Sequence, residues 1–406
     1  MSKSQSAPPA LRTTLVLFAA LALAACQTPP SAPERTACPP CAACPTCPTA
    51  EPVTPTQPPA KPLQPARWND LPGWGEDDLA AAWPAFQASC RALAARPGWK
   101  RVCGLAGAVD GQDNAALRAF FEQHFRPLAL TAPDGKSEGM ITGYYEPLLK
   151  GSRSRSKAHP VPVLGVPDDL LTIDLGEVLP ELKHLRLRGR LQGNKVVPYY
   201  SRAEIESGKG GQADKILLWV DDPVELFFLQ IQGSGRVRLP DGQMTRLAYA
   251  DQNGHPYQSI GRVLLERGDL KPGEATMQGI QAWARANPAR LNGLLNSNPS
   301  YVFFREMPVN GAGPLGALGV PLTAGRSIAV DPRHTPLGAP VFLATTLPNS
   351  SQPLNRLMLA QDTGGAIKGV VRADFFWGFG ASAGEQAGKM KQSGRMWVLL
   401  PNELSP

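Results

Sequence analysis

Two aspartates and a run of aromatic residues near the C-terminus are the residues best suited to chemistry. Residues 360–369 read AQDTGGAIKG and residues 372–378 read RADFFWG. Asp362 and Asp374 therefore flank a glycine-rich turn, and aromatic side chains directly follow the second carboxylate. Acid-catalysed cleavage of a sugar chain needs a carboxyl group, backbone that can approach the ligand closely, and flat rings. The pattern predicts a groove in which a carboxylic acid acts on a glycan.

Each aspartate of this region also has a structural interpretation. Asp374 could be a surface turn residue, but the aromatic residues 375–377 would raise the pKa of its carboxyl group by desolvation, which favours an acid. Asp362 could instead cap the turn at 363–365, and we favour that role over direct proton transfer. Asp331, upstream in the segment VDPRHTPLG, is equally well explained as a plain turn residue.

The N-terminus carries a segment that is not part of the fold. A basic start is followed by an apolar run from Leu15 to Leu23, which is too short to span a bilayer and is typical of a signal peptide. The run ends in LAAC, a lipobox that predicts lipidation of Cys26; an ordinary cleaved signal is the alternative. Gln27 after this cysteine favours the periplasmic face of the outer membrane, where several acyl chains would hold the protein firmly.

Residues 27–66 are rich in Pro, Ala and Thr, which predicts an extended tether without a core. Four cysteines lie in it at Cys-x-x-Cys spacing, namely Cys38, Cys41, Cys44 and Cys47. Such repeats can bind metal, but an oxidising compartment and the lack of a folded scaffold favour disulfide pairing. Cys90 and Cys103 bracket a short loop in the folded part, and we expect them to form a disulfide.

The remaining body reads as mainly β with a few helices. Apolar spacing predicts helices near residues 79–93, 113–125, 259–267 and 275–286. Short apolar runs bounded by turn residues predict strands at 139–145, 215–220, 224–232, 235–239, 327–330, 341–343, 356–360 and 395–400, and 239–243 predicts a hairpin turn. This distribution favours β-barrels over a parallel α/β sheet.

Charge and histidine content exclude several classes of function. There are 41 basic and 34 acidic residues, a net charge of +7 with no basic block, which argues against nucleic acid as a partner. The five histidines, at 124, 159, 184, 255 and 334, show no metal-binding spacing, and only His334 would lie near the site. The glycines at 233 and 235 are not followed by a Rossmann pattern. No metal or cofactor is expected.

Four further motifs occur in a fixed order before the aspartate region. They are TGYYEP at 142–147, QIQGSGR at 230–236, DQNGHPYQSIG at 251–261 and NPSYVFF at 298–304. From about residue 138 onward the chain resembles the membrane-bound lytic murein transglycosylase A family, with its three-aspartate C-terminal domain. Residues 67–137 carry no matching motif.

The resemblance implies an architecture. It implies a double-psi β-barrel built from residues 67–148 and 300–402. A smaller β-domain, at 149–299, would be inserted between the two halves and form the other wall of a groove.

The resemblance also implies a reaction and a set of site residues. The family cleaves the β-1,4 bond between N-acetylmuramic acid and N-acetylglucosamine in peptidoglycan without water, leaving 1,6-anhydro ends. Matched by motif, Asp374 would be the acid and then the base, with Asp362 as a second catalytic-site residue. The motif side chains expected to bind substrate are Thr142, Tyr144, Tyr145, Glu146, Gln230, Gln232, Ser234, Asp331, Gly364, Gly365, Lys368 and Trp377.

Several alternatives stay open at this point. Glu146 is a rival acid, although a supporting role fits its motif better. Tyr144 and Tyr145 face opposite ways in a strand, so one should line the groove and one should be buried. The groove could belong to a peptidoglycan-binding lipoprotein without activity. It could also belong to an inverting hydrolase, which needs two carboxyl groups ~6.5–9.5 Å apart.

Overall fold

A computed structural model describes residues 61–404, except 183, 184, 186, 211 and 310–312. The predictions for Cys26 and for the cysteines at 38, 41, 44 and 47 lie outside the described residues. Within the described part, no helix has the length and apolar character needed to cross a membrane.

The described chain is mainly β, as the sequence predicts. Its strands are β1 Leu63–Pro65, β2 Phe125–Leu130, β3 Gly139–Glu146, β4 Leu148–Ser152, β5 Val161–Leu164, β6 Leu171–Thr172, β7 Arg188–Gln192, β8 Lys195–Pro198, β9 Ile216–Val220, β10 Ser234–Arg238, β11 Met244–Gln252, β12 Val302–Pro308, β13 Ser327–Val330, β14 Pro340–Thr346, β15 Pro353–Asp362, β16 Arg372–Phe379 and β17 Lys391–Pro401. Its α-helices are α1 Leu79–Leu93, α2 Lys100–Leu105, α3 Asn114–His124, α4 Arg202–Glu206, α5 Pro223–Gln232, α6 Ile260–Glu266, α7 Met277–Ala286, α8 Pro288–Leu295 and α9 Gly380–Lys389.

The first sheet closes on itself. Its strands follow the order β1-β2-β17-β14-β15-β13-β16-β3, and β3 pairs in addition with β17. Six strands therefore form a ring, with β2 and β1 continuing outward from β17. Two pairs, β13–β15 and β3–β16, are parallel and the others antiparallel. A closed ring of short mixed strands agrees with the expected barrel and leaves β3 no free edge.

The second sheet is built from the intervening part of the chain. Its strand order is β12-β11-β10-β4-β9-β5. The chain between β5 and β9 forms a separate small three-stranded sheet, β6-β7-β8. The turn between β10 and β11 is the predicted hairpin, with Gly242 at φ 85°. Strand β12 pairs with β11 along seven residue pairs, so residues up to 308 belong to this sheet and not to the first one. The expected boundary at residue 300 therefore lies too early.

One predicted strand is a helix. The segment 224–232 lies within α5, where the Asp222 side chain accepts hydrogen bonds from the amides of Val224 and Glu225, and Pro223 occupies the first turn. Gly233 ends the helix at φ 78°. A short continuous apolar run fits a buried helix as well as a strand, and here the residues at both ends determine the outcome.

Helices α1 and α3 pack on the ring and complete the main core, as their apolar stripes predict. A buried ion pair attaches the segment just before α1 to the ring: the carboxylate of Asp77 accepts two hydrogen bonds from Arg326, at 2.9 and 3.0 Å, and one from the amide of Leu357. The buried Gln361 donates to the carbonyl of Ala85 in α1. Residues 67–137, which carry no recognisable motif, thus form one side of the barrel core.

The tether predicted over 27–66 includes a strand. Leu63–Pro65 pairs with β2 at residues 128–130, and Leu63 packs against the main core.

A chain beginning at Lys61 should unfold at the same temperature as one beginning at Gln27. A chain beginning at Arg67 should lose ~1–3 kcal/mol, because three strand pairs and an apolar contact are removed. Calorimetry of the three chains tests this, and equal stability of all three would show that β1 contributes nothing.

The predicted disulfide is confirmed. Cys90 in α1 and Cys103 in α2 are bonded, with Cα atoms 5.2 Å apart and a sequence separation of 13. Both cysteines should resist alkylation in the oxidised protein and react only after reduction. Reduction should lower the free energy of unfolding by ~2–4 kcal/mol. A Cys90→Ala/Cys103→Ala variant is the control, since reductant should leave its stability unchanged. Modification of either thiol before reduction would contradict the pairing.

Candidate active site

A row of paired residues crosses four strands of the ring. Thr142 on β3 is paired with Asp374 on β16, which is paired with Ala329 on β13. Ala329 is paired in turn with Asp362 on β15. Directly paired residues project from the same face of a sheet, so Thr142 and the two aspartates share a face. The aspartate backbones are two strands apart, which corresponds to roughly 10 Å.

This face is separate from the main core. Phe375 points the other way and belongs to the core, whereas Tyr144, Ala329 and Phe376 pack together in a small cluster with two loop residues. The rings of Tyr144 and Phe376 are 5.1 Å apart. The alternation of β3 and β16 therefore places aromatic surface beside the carboxyl group of Asp374.

Asp374 is half-buried, and one of its two carboxylate oxygens accepts a hydrogen bond. Its Oδ1 accepts a hydrogen bond of 2.5 Å from the hydroxyl of Thr142, and its Oδ2 has no hydrogen-bond partner among the described residues. Burial raises the pKa of Asp374 to about 6, against the opposing effects of the Thr142 hydrogen bond and the charge of Arg372. Such a carboxyl group can hold a proton at mildly acidic pH and release it during a reaction.

Arg372 supports Thr142 from the same strand as Asp374. Its Nη2 donates to the Thr142 hydroxyl oxygen at 2.8 Å, and the guanidinium also donates to the carbonyls of Met140 and Ala373. The residue is buried, and burial lowers the pKa of the guanidinium, while the charge of Asp374 opposes that effect. Sequence reasoning gave Arg372 no role. Its position two residues before Asp374, a spacing that places both side chains on one face of a strand, is the signal that could have found it.

Asp362 organises the loop that follows it. Its Oδ1 accepts hydrogen bonds from the backbone amides of Ala317 and Thr363, both at 2.9 Å, and its Oδ2 accepts one of 3.0 Å from the hydroxyl of Tyr144. Burial, together with the charges of Asp362 and Asp374, raises the pKa of Tyr144 well above its usual value. These contacts match the capping role expected for Asp362.

Asp331 anchors the far end of the same loop. Its carboxylate accepts hydrogen bonds from the Arg333 side chain and from the amide of Gly369, at 2.9 Å for the latter. Burial alone would raise the pKa of Asp331, but these hydrogen bonds outweigh it and hold the pKa well below its usual range. The loop between the two aspartates includes Gly364, and exposes Gly365 and Lys368 to solvent. Their predicted contacts with substrate stay predictions.

Glu146 is positioned as a structural residue and not as an acid. It is fully buried, and its carboxylate accepts hydrogen bonds from Arg236 at 2.9 Å and from Arg246 at 2.6 Å. Both arginines belong to the second sheet, so the ion pairs fasten that sheet to the end of β3. Since both carboxylate oxygens are occupied by guanidinium groups and the side chain is fully buried, neither oxygen can reach a substrate, and the contacts favour the supporting role over that of an acid.

Tyr145 and Trp377 lie on the opposite face from Asp374. Tyr145 packs with residues of α9, and the ring of Trp377 lies 4.7 Å from that of the core residue Phe375. A cavity of about 220 Å³ lies on this face between Tyr145, Met277 of α7 and Gly384 of α9. The expectation of one buried and one groove tyrosine needs correction, because Tyr144 and Tyr145 are both more than 90% buried.

The three polar residues of the QIQGSGR motif are dispersed by the end of α5. Gln230 is buried and bonds to Arg202 and to the carbonyl of Val302, away from Asp374. Gln232 accepts a hydrogen bond from the amide of Tyr145 at 3.0 Å, and Ser234 begins β10. Gln230 and Gln232 lie in the last turns of helix α5 and Ser234 lies in β10, so these side chains do not point into one subsite together. Among the described residues, no group of three or more His, Cys, Asp or Glu side chains is arranged to hold a metal.

Comparisons with known proteins match two consecutive parts of the chain to family models. Residues 140–305 match the model of the MltA specific insert domain, and residues 326–400 match the 3D domain. The membrane-bound lytic murein transglycosylase A of Escherichia coli K12 is 34% identical over 274 residues, which are 66% of this chain and 67% of that protein. Its counterpart from Vibrio cholerae is 31% identical over 66% of each chain.

Solved structures agree over a larger part of the chain. MltA from Neisseria gonorrhoeae is 41% identical, with a TM-score of 0.74, covering 85% of this chain and 94% of its own. Escherichia coli MltA with bound chitohexaose is 28% identical, with a TM-score of 0.62, covering 85% and 93%. Both the ring that carries Asp374 and the sheet fastened to it through Glu146 therefore have counterparts in these enzymes. The chain belongs to the membrane-bound lytic murein transglycosylase A family.

Proposed function

We propose that this protein is a lytic transglycosylase that cleaves peptidoglycan glycan strands between N-acetylmuramic acid and N-acetylglucosamine and leaves 1,6-anhydro ends, with Asp374 as its only acid and base. The main support for the proposal is the raised pKa of Asp374 and the difference between its two carboxyl oxygens. Its pKa is raised to about 6 by burial, Oδ1 accepts a hydrogen bond from Thr142, and Oδ2 has no hydrogen-bond partner in the part of the chain that the structure describes. A glycan substrate is supported by the family and by the chitohexaose found in the Escherichia coli relative.

The proposed reaction uses the same carboxyl group twice. Asp374 first donates its proton to the glycosidic oxygen as the bond from that oxygen to C1 of the muramic residue breaks. The carboxylate then accepts the proton of the C6 hydroxyl as O6 bonds to C1, which regenerates the acid. Because the nucleophile belongs to the substrate, proximity supplies part of the rate, up to ~7–11 kcal/mol in favourable cases.

The contacts of the other carboxylates favour this reaction over inverting hydrolysis. A hydrolase needs a second carboxylate free to activate water. Both oxygens of Asp362 accept hydrogen bonds from protein donors, and Glu146 is held between two arginines. Binding without cleavage would also fit a groove, but it gives no reason to bury a carboxyl group whose charged form is destabilised there.

We further propose that the protein acts at the periplasmic face of the outer membrane, held by lipid on Cys26. The lipobox at residues 23–26 supports the anchor, and the names of the relatives describe them as membrane-bound. Metabolic labelling with a palmitate analogue, with Cys26→Ser as the control, tests the attachment. Equal labelling of the variant would contradict it.

Asp374→Asn should keep the fold and lose ~10³–10⁴-fold in turnover, because an amide of the same shape cannot transfer the proton. Asp362→Asn should lose less, since its Oδ1 still accepts the two backbone hydrogen bonds. Glu146→Gln is the matched control: it should lose ~3–5 kcal/mol of stability by breaking a buried ion pair, with little change in turnover per folded molecule. Release of anhydro-muropeptides from purified murein, measured by mass spectrometry, is the assay. Reducing ends would indicate a hydrolase, and near-normal release by the Asp374 variant would move the catalytic role elsewhere.

Activity should fall as pH rises through about 6, because the first step needs protonated Asp374. The free energy of unfolding should also fall as pH rises. The folded protein binds the proton of Asp374 more tightly than the unfolded chain does, so the contribution of Asp374 to stability is lost as pH rises through its folded pKa. Asp374→Asn should therefore melt at a higher temperature than the native protein at pH 8 and not at pH 4. An equal difference in melting temperature at both values would contradict the raised pKa.

A further inference from the structure

The acid is connected through Thr142 to a buried cation. Nη2 of Arg372 lies 2.8 Å from Oγ1 of Thr142, and that oxygen lies 2.5 Å from Oδ1 of Asp374. Arg372 is held in place by the carbonyls of Met140 and Ala373. The three side chains come from two adjacent parallel strands and form one short hydrogen-bonded chain on one face.

The chemistry of the three groups determines the direction of these hydrogen bonds. A guanidinium can only donate, so the Thr142 oxygen accepts from Arg372. The hydroxyl has one proton of its own, and a neighbouring cation makes its oxygen a poorer acceptor for a second donor. The hydroxyl proton therefore points to Oδ1 of Asp374. When Asp374 is protonated, its proton then belongs on Oδ2, the oxygen without a protein partner among the described residues.

We propose that Arg372 is a positioning residue for the reaction: it orients the Thr142 hydroxyl toward Oδ1 of Asp374, so that Oδ2 carries the proton that is transferred. The inference rests on the proposed role of Asp374 as acid and base. Proton donation leaves a carboxylate whose Oδ1 keeps its hydrogen bond from Thr142, and Oδ2 takes back the C6 hydroxyl proton. No proton leaves Arg372 or Thr142 in either step.

Other charged or titratable groups near Asp374 do not provide this orientation. Tyr144 donates its hydroxyl proton to Asp362, whose negative charge raises the pKa of Asp374. Lys391 on β17 is paired with Thr142 through the backbone, but it is exposed. Arg372 is the cation that hydrogen-bonds to Thr142 within the described residues.

Thr142→Val tests the orientation, because valine has nearly the same shape but no hydroxyl. We expect kcat to fall ~10- to 100-fold, the loss typical of a charge-assisted hydrogen bond, with KM little changed. The high-pH limb of the rate profile should move to higher pH, since the Thr142 hydrogen bond holds the pKa of Asp374 down. Thr142→Ser keeps the hydroxyl and should restore both kcat and the position of the limb.

Arg372→Met removes the donor and the charge, and Arg372→Lys keeps a donor and the charge. The first should resemble Thr142→Val in kcat and in the direction of the pH shift, and the second should retain part of the native behaviour. Because Arg372 acts through Thr142, the double variant Thr142→Val/Arg372→Met should be no slower than Thr142→Val alone. If the Arg372 variants fail to fold, the threonine pair decides the question.

Three results would overturn the proposal. The first is native kcat with an unmoved pH limb in Thr142→Val. The second is an equal loss at every pH in both threonine variants, which indicates a structural role. The third is additive losses in the double variant, which mean that Arg372 acts independently of Thr142. Asp374→Asn in the same assay separates the two hypotheses: if it stays active, the proposed acid is wrong, and if it is inactive while Thr142→Val is normal, only the positioning role is wrong.

Discussion

The pairing of β3 with both β16 and β17 is the constraint on which the rest of the structure depends. This strand closes the ring, and its alternation directs Thr142, Tyr144 and Glu146 to one face. Each of these three side chains meets a charged partner: Asp374, Asp362 and the two arginines of the second sheet. A shift of one residue in the register of β3 would turn all three to the opposite face, toward α9 and the main core. One strand thus determines the surroundings of Asp374, the position of the glycine-rich loop and the junction with the second sheet.

The carboxyl groups of the three C-terminal aspartates have different properties because different groups donate hydrogen bonds to them. Asp331 and Asp362 accept backbone amide hydrogen bonds, which fixes both ends of the glycine-rich loop. Asp374 lies in the middle of a strand, where the backbone amides serve the ladder, and a single hydroxyl is its donor. A half-buried carboxylate without amide donors is poorly stabilised in its charged form. Its pKa is therefore raised, and it keeps its proton to higher pH. The chemical difference among identical side chains follows from their places in the sheet.

Most of the β framework could be predicted from the sequence, because alternating apolar residues and turn signals are local features. The same reasoning identified the aspartates, the helix α3 and the disulfide. It misread α5, whose apolar run fits either state. It missed α9, whose sequence GASAGEQAGK contains three glycines and has no large apolar side chain to mark a buried stripe.

Strand register could not be predicted, since it depends on contacts between distant parts of the chain. The site residues were therefore grouped by motif and not by face, so the expected site combined Tyr145 and Trp377 with residues of the opposite face. Within a motif, alternation alone would have separated Trp377 from Asp374 and joined Arg372 to it.

The distance along the chain between Thr142 and Asp374 has a consequence for folding. The two residues are separated by 232 positions, and the second sheet is encoded between them. Contacts of such long range form late, because the entropy of closing a large loop must be overcome first. The second sheet can assemble while the ring is still open, and the ring closes only when β16 and β17, near the end of the chain, are available. The hydrogen bond between Thr142 and Asp374 is thus among the last to form, so the two oxygens of Asp374 become chemically different only at the end of folding.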